Sequence, residues 1–339
     1  MRIFITGVAG FLGSHLAEAL VRAGHEVVGC DNLVGGDVGN VPVGVEWSQT
    51  DCNDFDGMRK AIRGAEVVYH CAATAYEGLS VFSPHIVTQN IVTATTGALS
   101  AALAERSIRR WVHLSSMARY GTNHTPFVED MEPRPQDPYG IGKVCAEQLV
   151  RNLCDVHGVE YVICVPHNIY GPKQRRDPFR NVVAIFMNRI LQGKAPIIYG
   201  DGQQRRCFSY VADVVDPLIK LATADVAGAI INLGPDDRFI TINDLARIVI
   251  EIACRETDDD PMKFAPLFAP GRPQEVREAN CSADKARRLL GYEANVSLED
   301  GLAEMYAWMR SRGPAPFDYH LPIEIKTERT PRTWTERLM

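Results

Sequence analysis

The sequence predicts a doubly wound α/β fold, a parallel sheet covered by helices on both faces, with a smaller α/β region in its C-terminal half. Three observations predict it. The chain opens on an apolar strand that runs straight into Gly7, Gly10 and Gly13 and then into a helical pattern. Short apolar strands then alternate with helical stretches as far as Val165, the arrangement that builds a parallel sheet. After Pro172 the alternation gives way to helices separated by short strands and loops rich in Gly and Pro.

Residues 2–6 read as a buried strand. The helix predicted over 12–23 sets Leu12, Leu16, Ala19, Leu20 and Ala23 at helical spacing, and Gly24 stops it. A second strand over 26–30 completes a βαβ unit. Residues 67–71 and 111–114 are further strands, separated by helices over 55–63 and 85–105. Asp137 followed by Pro138 marks a helix start, because Asp caps a helix and Pro is tolerated in its first turn. That helix runs to His157, and a strand over 161–165 follows. Beyond Pro172, helices are predicted near 181–192, 211–223, 242–254 and 283–290. Residues 1–170 are therefore expected to form a dinucleotide-binding domain to which some later segments return, and 171–312 mainly a substrate-binding region. Residues 313–339, rich in Pro, Thr and charge with little periodicity, read as an extended or poorly ordered tail.

Composition excludes several classes. A net charge of −6 over 339 residues argues against nucleic acid or an anionic membrane as partner. No apolar run approaches the roughly 20 residues that span a bilayer, and residues 3–5 are too short for a signal-peptide core. Nine cysteines without a C-x-x-C pair fit reduced thiols in a cytoplasmic protein. No ligand-like spacing links His70, His113 and His167, so they read as satisfied strand-end histidines, and no metal site is expected.

The glycines carry the first chemical signal. Gly7 permits a tight strand-to-helix turn, Gly10 lets backbone N–H groups approach a pyrophosphate, and Gly13 lets the helix lie close to the strand. The anion then sits on the helix N-terminus. Asp31, at the end of the second strand, would accept hydrogen bonds from the adenosine ribose hydroxyls. It would repel a 2′-phosphate, and Asn32-Leu33 offers no arginine to offset it. The pattern is a Rossmann-type site for NAD rather than NADP.

Tyr139 and Lys143 carry the second signal. At i and i+4 on one helix they share a face, and an ammonium beside a phenol lowers the phenol pKa from its usual value of about 10. Such a tyrosine can take a proton from a sugar hydroxyl. Ser115-Ser116 directly follows a strand, at the carboxyl edge where ligands bind in such sheets. Ser116 could bond the same substrate oxygen.

With these motifs the chain resembles the extended short-chain dehydrogenases/reductases, specifically the NAD-dependent nucleotide-sugar epimerase/dehydratase family. The resemblance runs from Gly7–Gly13 through Asp31-Asn32, His70–Ala73, Ser115–Gly121 and Tyr139–Lys143 to Asn168–Pro172, Tyr199–Arg206 and Pro270–Pro273. It implies Tyr139 as general base, Lys143 as the residue orienting the nicotinamide ribose, and Ser116 as a partner of the reacting hydroxyl. It further implies that Gly7, Gly10, Phe11 and Leu12 hold the pyrophosphate, Asp31 and Asn32 the ribose, and Asp51 and Cys52 the adenine. Ala72 and Ala73 would line the cofactor. Asn168, Arg206 and Arg272 would bind the diphosphate of a nucleotide sugar, with Tyr199 by its base, and a homodimer is implied through the helices at 85–105 and 138–157.

Departures from the family pattern narrow the reaction. Met117-Ala118 follows Ser116 where the family's 4,6-dehydratases carry Asp-Glu and its decarboxylases keep a glutamate, which leaves epimerisation at one carbon of a UDP-hexose. In similar UDP-glucuronate 4-epimerases an arginine at the position of Arg175 lies near the sugar carboxylate, so an acidic sugar is one alternative and a nucleotide-sugar dehydratase or reductase of the same family the other; a solvated charge run or further diphosphate contacts would also account for that basic loop. Arg119 is expected to pair with a nearby carboxylate, and Glu77–Ser80 to lie beside the sugar pocket.

Overall fold

The computed structural model describes all 339 residues. Seven strands make the central sheet: β1 (Arg2–Thr6), β2 (Glu26–Asp31), β3 (Glu46–Gln49), β4 (Val67–His70), β5 (Arg110–Leu114), β6 (Glu160–Pro166) and β7 (Ile230–Leu233). They lie in the order β7-β6-β5-β4-β1-β2-β3, and every pairing is parallel. The order reverses at β1, which pairs with β2 on one side and β4 on the other. The crevice above the carboxyl ends of β1 and β4 is thus the switch point where such sheets bind ligands.

Strand alternation decides which face each side chain fills. Ile3 and Ile5 of β1 join Leu16, Leu20, Val214 and Leu218 from the helices Phe11–Arg22 and Val211–Lys220. Phe4 points the other way, into a core with Val28, Val68, Ala98, Leu99 and Trp111. Two strands escape the sequence reading. β3, Glu-Trp-Ser-Gln, is a partly exposed edge strand and lacks an apolar run. β7 lies far along the chain and pairs with β6 only in the folded state.

The helix expected over 85–105 consists of Pro84–Thr88, a π turn over Gln89–Thr93, and Ala94–Glu105. The helix Pro138–His157 begins and ends as read: the Asp137 carboxylate accepts the Gly140 N–H at 2.9 Å, and Gly158 closes it at φ +68°. Around a separate core the helices Val182–Leu191, Ile242–Thr257 and Leu298–Ser311 pack together. The last of these is absent from the sequence reading although Ser297 caps it, accepting from Asp300 N at 3.0 Å.

Residues 313–339 are extended apart from the short helix Arg332–Thr335, yet they are packed, which corrects the expectation of poor order. Phe317, Leu321, Trp334 and Met339 are buried. The Glu324 carboxylate accepts from His85 N and Ile86 N, both at 2.9 Å, and so caps the helix that starts at Pro84. Arg189 donates to Leu338 O at 3.0 Å on the other side. The anchors are single apolar residues without a period, which pattern reading overlooks. All nine cysteines are free, and no helix is long and apolar enough to cross a membrane.

Candidate active site

A cleft of about 470 Å³ runs along the carboxyl edge of the sheet, lined from Gly7 through Ser116 and Tyr139 to Tyr199, Arg272 and Met339. At one end the glycines are required by contact. Gly7 has φ +73°, and a Cβ on Gly13 would sit 2.1 Å from the Gly7 carbonyl oxygen. The helix Phe11–Arg22 starts at Gly10 with no side-chain cap, so its first-turn N–H groups remain available to an anion. Phe11 and Leu12 line this end.

Asp31 closes this end of the cleft. Its carboxylate accepts from Ala9 N at 3.1 Å and Leu33 N at 2.8 Å, while burial raises its pKa above the ordinary value. Asn32 donates to Asp51 at 2.7 Å, and Asn53 adds two bonds to Asp51 at 2.8 Å. Burial pushes the Asp51 pKa up, but these bonds outweigh it and hold the pKa low. Cys52, Ala72 and Ala73 line the same wall. Bare backbone at a helix N-terminus, followed by an acceptor carboxylate one strand away, fits a dinucleotide.

The reacting end combines β5 with the helix Pro138–His157. Tyr139 is buried, and Ser116 hydrogen-bonds it, favouring the phenolate. Burial nevertheless dominates and pushes Tyr139 up to about 12. The Lys143 Nζ lies 6.0 Å from the Tyr139 ring centroid and donates to Leu114 O at 2.7 Å. Burial lowers Lys143 to about 8, which leaves it mostly charged at neutral pH. Met117 and Ala118 line the cleft next to Ser116. Arg119 turns away from the site and pairs with the buried Glu147 at 3.0 Å, as read.

At the far end Asn168 holds φ +43° and donates to Cys207 O at 2.8 Å. Arg206 donates to the carbonyls of Arg205, Val276 and Arg277, so its guanidinium is fixed. Arg272 pairs with Glu275 at 2.8 Å and lies over the Tyr199 ring at 4.8 Å. The Tyr199 hydroxyl meets Thr333 Oγ1 at 2.5 Å. Arg175 also lines the cleft, where it pairs with Asp318 and donates to Val34 O at 3.1 Å, beside the turn that follows Asp31.

A model of the NAD-dependent epimerase/dehydratase family matches residues 3–234. The chain belongs to that family. The family is NAD-dependent, and NAD is the cofactor of this enzyme. Among its relatives is a UDP-N-acetyl-alpha-D-glucosaminuronate decarboxylase of Bacillus cytotoxicus, 30% identical over 91% of this chain and 98% of the relative. The solved UDP-glucose 4-epimerase of Thermotoga maritima with UDP-glucose is 31% identical, covers 92% of this chain and 99% of its own, and has a TM-score of 0.85. The UDP-glucuronic acid 4-epimerase of Bacillus cereus, solved with UDP-glucuronic acid and NAD, is 27% identical over 92% of this chain and 100% of its own, with a TM-score of 0.82.

Within this epimerase/dehydratase-family site, three groups went unread in the sequence. Arg180 stacks over Tyr76 at 5.6 Å, and its charge favours the Tyr139 phenolate. Tyr76 donates to Asp177 at 3.1 Å. Trp334 packs on Phe179, a lining residue, at a centroid distance of 5.4 Å and on Phe82 at 6.0 Å, and so backs the wall from behind. None carries a local motif; each is brought in by chain folding from 100 or more residues away from its partner or as part of a loop. The histidine reading also needs correcting. His70 bonds Thr6 at 2.9 Å and Thr95 at 3.0 Å, but His113 has no partner on either ring nitrogen. Burial drives its pKa well down and keeps it neutral, and no cluster of metal-ligating residues exists.

Proposed function

We propose that the protein is an NAD-dependent nucleotide-sugar 4-epimerase acting on a neutral UDP-hexose. The carrying observation is Ser116, Tyr139 and Lys143 on one cleft wall with Met117-Ala118 beside them, a set that serves proton and hydride exchange at one carbon and offers no acid–base pair for elimination.

Gly7, Gly10, Phe11 and Leu12 hold the pyrophosphate, Asp31 and Asn32 the adenosine ribose, and Asp51, Cys52, Ala72 and Ala73 flank the adenine and the nicotinamide half. NAD supplies the acceptor and donor of hydride at C4. Tyr139 removes the proton from the C4 hydroxyl and later returns it; Ser116 holds that oxygen in line. Lys143 orients the nicotinamide ribose and keeps positive charge near the phenolate. Asn168, Arg206 and Arg272 anchor the diphosphate while the ketosugar turns over, because a guanidinium fork matches phosphate oxygens. Tyr199 stacks by the base. Arg175 lines the cleft but is held by Asp318 and the Val34 carbonyl, which supports the neutral hexose over the uronate.

The test is incubation with UDP-, dTDP-, CDP- and GDP-sugars, read by NMR of the anomeric region, with absorbance at 340 nm followed in parallel. Interconversion of C4 epimers without net NADH is expected; net NADH or loss of water sinks the assignment. A homodimer through the helices ending at Glu105 and His157 is part of the same reading: Ile141 and Val156 are 54% and 70% exposed on the second helix. Light scattering after gel filtration should give twice the chain mass.

A further inference from the structure

One acid in the cleft has no task in the chemistry above. Glu77 opens the short helix Glu77–Ser80, and its side chain faces the cavity. The polar groups around it are engaged elsewhere. Tyr76 bonds Asp177 and Ser80 bonds the Glu77 carbonyl at 2.7 Å, while Arg272, held by Glu275, and Arg206, held by three backbone carbonyls, make no hydrogen bond to Glu77 and keep their remaining N–H donors for a diphosphate. The Glu77 carboxylate is left without a partner.

Its location follows from the cleft lining it shares. Asp137, the cap of the helix that bears Tyr139, Tyr139 itself, Arg206, Arg272 and Glu275 line the same cleft, and the charges of Asp137, Arg206, Arg272 and Glu275 act on Glu77. The backbone beside it runs close under the arginine: a Cβ on Gly78 would meet Arg272 Nη1 at 3.3 Å. A nucleotide sugar with its diphosphate on the arginines and its C4 hydroxyl at Tyr139 must carry its hexose ring across this gap. Glu77 therefore faces the ring.

We propose that Glu77 is the group that reads the sugar, accepting hydrogen bonds from the hydroxyls of a neutral hexose and turning away a hexose that bears a carboxylate. An ionised carboxylate is acceptor-only and suits hydroxyl donors, whereas a second carboxylate beside it meets like-charge repulsion in the cleft. Desolvation by the surrounding cleft walls and then the Asp137 charge raise Glu77, which stays accessible from the cleft, to about 7, against the pull of Arg206 and Arg272 and with Glu275 adding to the rise. The acid is neutral below pH 7 and charged above it, so discrimination against uronates steepens from pH 6 to pH 8. Arg180, over Tyr76, offers an incoming carboxylate a competing cation. The ratio of the two sugars, rather than either activity alone, isolates Glu77.

This inference rests on the nucleotide-sugar reading, and the experiment separates the two. Dissociation constants for UDP-glucose and UDP-glucuronate are measured by calorimetry on the full-length NAD-loaded protein, with turnover followed by NMR. Wild type is expected to prefer the neutral sugar at pH 8, and Glu77→Gln, which keeps the shape, to narrow that preference by roughly tenfold or more and to flatten its pH dependence. A ratio unchanged in both Glu77→Gln and Glu77→Ala overturns the role of Glu77. Binding of both sugars without turnover sinks the 4-epimerase chemistry alone, and the binding ratio still decides on Glu77. Failure of wild type to bind either sugar overturns both.

Discussion

Burial pushes Tyr139 up to about 12 even with Ser116 bonding the phenolate and the Arg180 charge pulling it down, so the phenol is a poor base at neutral pH until more positive charge is brought to bear on it. Lys143, mostly ionised one helical turn on, is the residue placed to do so. The base works only when deprotonated, so its active fraction rises with pH up to its operative pKa. The acid limb of kcat/KM should climb with a slope near one, and Lys143→Met should displace that limb to higher pH; an unmoved limb removes Lys143 from this role. Tyr139→Phe should lose at least about 10²-fold in turnover, the usual share of a general base, while NAD binding by fluorescence titration stays intact. Full turnover in Tyr139→Phe ends the assignment. At this scale the sequence was legible where residues act through local spacing, as with Tyr139 and Lys143. It was silent on Arg180 and Asp177, whose neighbours come from across the fold.

Elements explain why the reacting groups meet. The helix Pro138–His157 starts beside the segment after β5 because Gly140 lets it approach: a Cβ there would lie 2.8 Å from Ala118 O. Gly140→Ala should therefore shift Tyr139 against Ser116 and lower kcat by at least about tenfold, since a misplacement near 1 Å can cost far more. Unchanged circular dichroism with reduced kcat is the expected result, and an unaffected kcat would remove the contact from the argument. The boundaries of this helix were readable because Asp137, Pro138 and Gly158 are local signals. The π turn over Gln89–Thr93 was not, since its extra residue answers to packing: Asn90, within it, donates to Thr74 at 2.9 Å in the cleft wall.

The molecule as a whole is held around the cleft by residues 313–339. Glu324 caps the helix at Pro84, Thr333 meets Tyr199, and Trp334 sits between Phe82 and Phe179. These contacts tie the sheet domain to the substrate region on both sides of the site. Trp334→Ala should cost about 3–5 kcal/mol, as large buried aromatics do, read as a lowered Tm. It should also raise KM for the nucleotide sugar with little change in NAD affinity. A normal Tm in this variant would mean that the segment does not brace the cleft.

The sequence by itself determined the parallel α/β fold, the glycine turn with Asp31, and the pairing of Tyr139 with Lys143, because strand alternation, helical period and backbone freedom are written in neighbouring residues. Only the tertiary structure decided that burial dominates at the Tyr139 phenol, that Asp318 pairs with Arg175, that β7 closes the sheet and residues 313–339 pack beside the cleft, and that Glu77 lines the cleft without a hydrogen-bond partner. These are consequences of long-range packing, in which desolvation and partners distant in sequence set the energy of each group, and no local pattern encodes them.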